Sequence, residues 1–225
     1  MSSLLHQLVV PFNATAFTVF GEPTTWGEVL GFVTGAWCVW LVVRRNIWNW
    51  PVGIVNNVFF LLLFVEAGLF ADSALQVVYL VLGFYGWWAW VRGGARRTEL
   101  PMSRTTRRQW IWLLAIGVVT TLGLAWLLAS KTTSTVPAAD SLTTVLSLLA
   151  TWGQARKKVE SWWLWIAADL IYVPLYQYKG LTLTALLYLG FLALCVAGLR
   201  AWTQELKRQP TGTGPAPVLS AERAG

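Results

Sequence analysis

The sequence is poor in histidine, cysteine and acidic residues, and these shortages exclude several kinds of site. His6 is the single histidine among 225 residues, so a zinc site built from histidine and cysteine ligands cannot be assembled. The two cysteines, Cys38 and Cys195, both fall inside apolar segments, where thiols pack as small apolar groups. We therefore predict no disulfide framework, no metal site and no cofactor.

Acidic residues number 10, and Asp169 is the only one of them deep inside an apolar segment. A membrane enzyme would need a nucleophile with a base, or a metal cluster, around such a group. The sequence offers neither, so we do not predict an enzyme. A retinal photoreceptor is also excluded, because the last apolar segment, 181–199, contains no lysine.

Apolar and aromatic residues, by contrast, are abundant. Hydrophobic residues make up 56% of the chain, 16 residues are tryptophan, 12% are charged, and the mean hydropathy is +0.55. A soluble domain of this length could not bury so much apolar surface. Runs close to the roughly 17–25 residues needed to cross a bilayer lie at 26–43, 48–66, 72–91, 110–129, 139–155, 160–178 and 181–199. The predicted fold class is an all-α integral membrane protein with seven transmembrane helices.

The seven spans divide into three, one and three. We predict a first repeat at 26–91, a connector helix at 110–129 and a second repeat at 139–202, which together form one membrane domain, 26–202. Because a single connector crosses the bilayer between them, the repeats are expected to be parallel. Residues 1–25 are expected to form an interfacial segment and residues 203–225 a disordered tail.

Basic residues are distributed unevenly between the two sides of this topology. Of the 17 lysines and arginines, all except Lys131 and Lys179 fall on one side. The positive-inside rule places that side in the cytoplasm, which puts the N-terminus outside and the C-terminus inside. The arginine-rich stretch 92–108 is then a topology anchor rather than a nucleic-acid patch.

Two stretches of the chain, 44–56 and 157–169, share one pattern. Each is a basic turn followed by a tryptophan-rich helix and then by a polar side chain within an apolar segment. The interval of 113 residues aligns Asn56 with Asp169. An aspartate in hydrocarbon costs about 2.5–3.5 kcal/mol, so such a group usually faces a cavity. We predict that Asn56 and Asp169 approach each other and flank one ligand.

Further aromatic and polar side chains share these faces at helical spacing. The predicted set comprises Trp162, Trp165, Asp169 and Tyr172 on the sixth span, Gln76, Tyr79 and Trp87 on the third, and Tyr188 on the seventh. Interfacial belts explain tryptophans at helix ends, but Trp165 lies well into the bilayer. A cavity with aromatic walls suits a flat heterocycle, and a cationic ring would gain about 0.5–2 kcal/mol on tryptophan. We therefore expect a pyridinium or thiazolium vitamin.

Several segments together carry a family resemblance. They are Val159-Glu160-x-Trp162-x-x-Trp165-x-x-x-Asp169, Asn56, Gln76, and Tyr85-Gly86-Trp87-Trp88-Ala89-Trp90. With them, residues 26–202 resemble the PnuC family of bacterial vitamin transporters. The resemblance implies a 3+1+3 fold similar to that of SWEET sugar transporters, a homotrimer in the bacterial cytoplasmic (inner) membrane, and substrate contacts from Trp162, Trp165, Asp169, Asn56 and Gln76. It also implies facilitated diffusion of nicotinamide riboside, which a cytosolic kinase traps by phosphorylation.

Two alternatives stay open at this point. Relatives on the same scaffold carry thiamine or riboflavin, and the last motif position, which is Asp169 here, is asparagine in some of them. An ion-coupled transporter is the second alternative, but coupling normally needs a titratable relay or a cage of carboxylates and carbonyls. Because Asp169 is the single intramembrane carboxylate, uncoupled transport is favoured.

Overall fold

The computed structural model of the chain describes residues 7, 10–19, 21–131, 136–178, 180 and 182–209. Over these residues it contains a two-stranded hairpin and seven long helices. The bounds are β1 Thr15–Val19, β2 Glu22–Thr25, α1 Trp26–Val43, α2 Asn49–Glu66, α3 Phe70–Arg92, α4 Arg107–Lys131, α5 Pro137–Ala155, α6 Ser161–Tyr178 and α7 Thr182–Arg208. Each helix begins and ends within a few residues of a predicted span, except at the C-terminal end of α7.

Five of these helices, α1 to α4 and α7, are long and apolar enough to cross a membrane by length and composition. Helix α5 is more polar because a row of hydroxyls runs along it. Those hydroxyls donate to carbonyls one turn back, as Ser147 Oγ does to the Thr143 carbonyl at 2.8 Å and Thr151 Oγ1 does to the Ser147 carbonyl at 2.8 Å. Such local bonds satisfy hydroxyls inside a helix without a partner on another helix.

Six of the helices pack in a closed ring. Helices α1, α2 and α3 contact each other in chain order, as do α5, α6 and α7, and the contacts α1 with α7 and α3 with α5 close the circuit. Helix α4 packs against α5, and none of its residues is buried. Its exposed side chains are large and apolar, such as Val119 and Trp126, which is the surface expected of a helix that faces lipid.

The N-terminal end of the ring is preceded by the hairpin, which the sequence did not predict. Strands β1 and β2 pair antiparallel, and α1 begins directly after β2. Thr25 ends the strand and caps the helix, because its hydroxyl accepts from the Glu28 amide at 3.2 Å while Glu28 Oε2 accepts from the Thr25 amide at 2.7 Å. This reciprocal capping box satisfies two amides that have no partner inside the helix.

The α3–α4 connection docks onto the α5–α6 turn, so the arginine-rich stretch is not a free loop. The Ser103 amide donates to the Lys157 carbonyl at 3.1 Å, and the Val159 amide donates to the Ser103 carbonyl at 3.2 Å. Glu160 Oε2 accepts from the amide and hydroxyl of Thr105. The basic turns, this connection and the end of α7 therefore meet at one end of the ring, which we call the basic end.

The expected tail boundary at residue 203 is wrong for its first residues. Helix α7 continues to Arg208, because Trp202 is fully buried and the Arg45–Glu205 ion pair at 2.9 Å ties the last turns to the α1–α2 turn. The rest of the predicted tail, 210–225, and Lys179 lie outside the described residues.

Candidate functional site

A cavity of about 370 Å³ lies inside the helix ring. Side chains from α1, α2, α3, α5, α6 and α7 line it, whereas no described residue of α4 does. Its size falls within the roughly 300–1,000 Å³ of typical small-molecule sites. The ring of six helices thus encloses a space suited to one vitamin-sized guest.

Most of the residues predicted as site residues line this cavity. They are Asn56, Gln76, Tyr79, Trp162, Trp165, Asp169 and Tyr188. Each comes from a helix face that the sequence pattern assigned to the interior. The aromatic and polar stripes therefore converge on a single space rather than on the ends of the helices.

Trp87 and Tyr172 do not line the cavity. At about 3.6 residues per turn, Trp87 lies to one side of the inward arc of α3, and its side chain is 39% exposed. Tyr172 packs behind the wall, where its ring centroid lies 4.6 Å from that of Tyr188 and 5.6 Å from that of Tyr176. It supports Tyr188 and does not face the guest space.

Asp169 supplies the charge of the site. Among the described residues that line the cavity it alone is ionisable as an acid or a strong base, and it is 3% exposed. Its Oδ2 accepts from Cys195 Sγ at 3.4 Å, a weak donor. A buried carboxylate with so little compensation is costly unless a cation or a proton reaches it.

Four buried polar atoms on the same wall have no hydrogen-bond partner among the described residues. They are the indole Nε1 atoms of Trp50, Trp162 and Trp165 and the amide Oε1 of Gln76. Buried polar atoms are nearly always paired in folded proteins, so a cluster of unpaired ones requires an explanation. Three donors and one acceptor around a single cavity are the groups that a polar guest would satisfy.

Asn56 differs from these residues because its side chain already has a partner. Its Nδ2 donates to Thr34 Oγ1 at 2.5 Å, and that hydroxyl donates to the Leu30 carbonyl at 2.6 Å. The amide therefore joins α2 to α1. It lines the cavity while one of its groups is committed to helix packing.

The repeat is visible in the contacts of the structure, but its register is 112 residues rather than the predicted 113. Trp50 meets Trp90 edge-to-face with centroids 5.5 Å apart, and Trp162 meets Trp202 in the same way at 5.5 Å. A Cβ atom at Gly86 would overlap the Trp50 ring, and one at Gly198 would overlap the Trp162 ring. The tryptophans that end α3 and α7 then bond across the ring.

Those cross-ring bonds follow the same step. Trp90 Nε1 donates to the Gln154 carbonyl at 2.9 Å, and Trp202 Nε1 donates to the Val42 carbonyl at 3.0 Å. Other features that recur at the step of 112 are the left-handed residues Arg45 and Lys157, the left-handed glycines Gly68 and Gly180, and the ring stacks Phe60–Phe64 and Tyr172–Tyr176.

The register of 112 corrects the predicted pairing of Asn56 with Asp169. The position equivalent to Asp169 is Asn57, and the position equivalent to Trp165 is Gly53. Both of these residues line the cavity, and sequence reasoning missed them. The available signal was a set of identical residues at this step, which are Trp40 and Trp152, Arg44 and Arg156, Trp50 and Trp162, Gly68 and Gly180, Gly86 and Gly198, and Trp90 and Trp202.

Known proteins resemble the chain over most of its length. Residues 25–204 match the family described as nicotinamide mononucleotide transporter. The riboflavin/roseoflavin transporter RibM of Streptomyces davaonensis is 29% identical over 204 residues, which cover 87% of this chain and 93% of RibM. The nicotinamide riboside transporter PnuC of Escherichia coli is 25% identical over 214 residues, which cover 84% of this chain and 90% of PnuC.

A solved structure resembles the fold as well. The crystal structure of the vitamin B3 transporter PnuC superimposes with a TM-score of 0.63 at 25% identity and covers 92% of this chain and 88% of the other. The similar proteins are named as transporters, and the family match spans most of this chain. The chain belongs to the PnuC family of membrane vitamin transporters.

Proposed function

We propose that the protein carries nicotinamide riboside across the bacterial cytoplasmic membrane by facilitated diffusion. The observation that carries this proposal is the cavity itself, in which one buried carboxylate and four unpaired polar atoms surround a space walled by tryptophan and tyrosine. Nicotinamide riboside has a permanently cationic pyridinium ring, a carboxamide and a ribose. Its charge, its planar ring and its hydroxyls each match a group of the site.

The charge of Asp169 favours a cationic guest over a neutral one. An ionised carboxylate that is 3% exposed has lost most of its hydration, and Cys195 replaces little of it. A pyridinium ring in the same cavity would restore the lost stabilisation, because attraction between charges is strong where water is excluded. A neutral guest would leave the carboxylate uncompensated.

The aromatic residues of the cavity favour a planar ring. Trp165 lines the cavity, and a cation over an indole face is stabilised by about 0.5–2 kcal/mol, with the larger value where water is excluded. The unpaired indole Nε1 donors suit ribose and carboxamide oxygens, and the unpaired Gln76 Oε1 suits a hydroxyl or amide donor.

Riboflavin is the second candidate, and the similarity to RibM favours it. Riboflavin is also planar and carries many hydroxyls, so the aromatic wall and the unpaired donors suit it too. It is neutral, however, and gives Asp169 no counter-charge. Thiamine, whose thiazolium ring is cationic, satisfies the charge criterion but has no ribose.

Uptake by proteoliposomes that contain the purified chain separates these guests. Radiolabelled nicotinamide riboside, thiamine and riboflavin are supplied at equal concentration, and empty liposomes give the background. We expect nicotinamide riboside to enter fastest. Riboflavin uptake with no nicotinamide riboside uptake would contradict the substrate assignment while leaving the family assignment intact.

We also propose uncoupled transport, with accumulation through phosphorylation by a cytosolic kinase. In support, no second carboxylate or histidine lines the cavity among the described residues, so a proton or sodium relay has no partner for Asp169. The repeated contacts on either side of α4 support a 3+1+3 arrangement in which the two triple-helix halves rock about the central cavity. The homotrimer stays a prediction, for which native mass spectrometry should give three chains.

The orientation proposal rests on the basic end. The α1–α2 turn, the arginine-rich connection, the α5–α6 turn and the end of α7 gather there, and the positive-inside rule assigns such an end to the cytoplasm. The N-terminal hairpin is then outside. The kinase that traps the vitamin would receive it at the basic end.

A further inference from the structure

The repeat register identifies a substrate-contacting residue that the motif does not contain. We infer that Asn57 is the partner of Asp169 across the cavity and reads the polar edge of the guest while Asp169 reads its charge. This inference rests on the proposed function, because it concerns the same cavity and the same vitamin.

The first step is the register. Asn57 and Asp169 are separated by the same 112 residues as Trp50 and Trp162, whose ring contacts are reproduced in distance and angle, 5.5 Å and 86° against 5.5 Å and 88°. Residues held at equivalent positions by matching helix contacts project toward the same axis. Asn57 and Asp169 therefore approach the cavity from opposite halves.

The second step is the contrast between neighbouring asparagines. Asn56 Nδ2 is bonded to Thr34 Oγ1, which fixes this side chain between two helices. The side chain of Asn57 lines the cavity and has no hydrogen-bond partner among the described residues. An amide in that position offers one acceptor and two donors to a guest.

The third step is the asymmetry of the walls. The counterpart of Trp165 in the first half is Gly53, which presents no side chain to the cavity. A planar ring can therefore stack on the Trp165 side and use the space that Gly53 leaves on the other. A Cβ at Gly53 would already lie 3.3 Å from Cys38 Sγ, so this space closes readily with a larger residue.

In this arrangement the two halves have different tasks. The second half supplies the indole and the carboxylate, and the first half supplies space and a neutral amide. A cationic ring with a carboxamide substituent uses all four positions. The amide–carboxylate pair thus makes the site selective for both the charge and the polar edge of the guest.

Moving the charge across the cavity tests the inference. Binding of nicotinamide riboside to the purified protein is measured for Asp169→Asn, for the double variant Asp169→Asn with Asn57→Asp, and for Asp169→Asn with Asn56→Asp. We expect Asp169→Asn to weaken binding at least about tenfold, the scale of a lost charged partner. The Asn57→Asp double variant should recover affinity to within about threefold of the wild type.

The Asn56→Asp double variant is the matched control, because it carries the same charge one residue away. It should bind as weakly as Asp169→Asn alone. Equal affinity of the two double variants, each confirmed as folded by its thermal unfolding curve, would overturn the inference. A failure of the wild type to bind any of the three vitamins would overturn the proposed function and this inference with it.

A single substitution keeps the inference testable if a double variant does not fold or if riboflavin proves to be the guest. Asn57→Ala removes the amide without adding charge and should weaken binding of the vitamin roughly three- to tenfold, the range of one buried hydrogen bond. Gln177→Ala, which removes an exposed amide from α6, is its control. Equal affinity of Asn57→Ala and the wild type would overturn the inference.

Discussion

Substituting Gly198 by alanine should destabilise the protein and weaken vitamin binding together. The added methyl group would overlap the six-membered ring of Trp162, which is fully buried and lines the cavity. That ring is rigid and is held against Trp202 at a centroid distance of 5.5 Å, so it has no space into which it can retreat.

The expected magnitude follows from these contacts. Overfilling a packed site costs about 1–3 kcal/mol, and a collision with a confined ring belongs at the upper end, about 2–3 kcal/mol. By the repeat register, Gly86→Ala should lower stability by a similar amount, because its methyl group would meet Trp50 in the same way. A change of this size is measured as a shift of the thermal unfolding midpoint of the detergent-purified protein.

The same substitution elsewhere on α7 provides the control. Gly190 has no atom within 4 Å of an added Cβ, so Gly190→Ala should leave the unfolding midpoint and vitamin binding unchanged. Replacing Trp162 by phenylalanine in the Gly198→Ala background should restore part of the stability by removing the overlap. If Gly198→Ala unfolds at the same temperature as Gly190→Ala, the packing argument is refuted.

Four further predictions can be tested with the same material. Trp165→Ala should weaken vitamin binding by about 1–3 kcal/mol, whereas Trp26→Ala, at a helix end, should not; equal losses would count against the cavity assignment. Trp90→Phe leaves one buried carbonyl without its donor and should lower stability by about 0.5–1.5 kcal/mol, while Trp88→Phe, which is exposed, should not; equal unfolding midpoints would contradict this. A cysteine introduced at Leu100 should resist impermeant reagents in intact cells; its labelling would reverse the topology. Proteoliposomes should equilibrate the vitamin without a gradient; uphill uptake driven by a proton or sodium gradient would make Asp169 the first candidate for a coupling site.

The positions of the helices could be predicted from the sequence because bilayer thickness sets the length of an apolar run. The hairpin could not, since β1 and β2 are short and contain no extended apolar stretch. The docking of the arginine-rich connection on the α5–α6 turn was also invisible. It depends on pairing between Ser103 and Lys157, which are far apart in the chain.

The site was partly predictable for a similar reason. Helical spacing identifies the inward face of α3 and α6, but it does not define the edge of that face, and Trp87 lies at the edge. The register failed because Asn56 was matched to Asp169 by chemical likeness. The feature that the two halves share is instead the fit of tryptophan against glycine, at Trp50 with Gly86 and at Trp162 with Gly198.

The central claim is that a cavity charged by Asp169 binds a cationic vitamin. The most direct test compares the Kd of the purified protein for nicotinamide riboside with its Kd for dihydronicotinamide riboside, the reduced form, which has nearly the same shape and no charge. The account predicts that the cation binds at least about tenfold tighter to the wild type and that Asp169→Asn removes this preference. Equal affinity of the wild type for the two forms would contradict it.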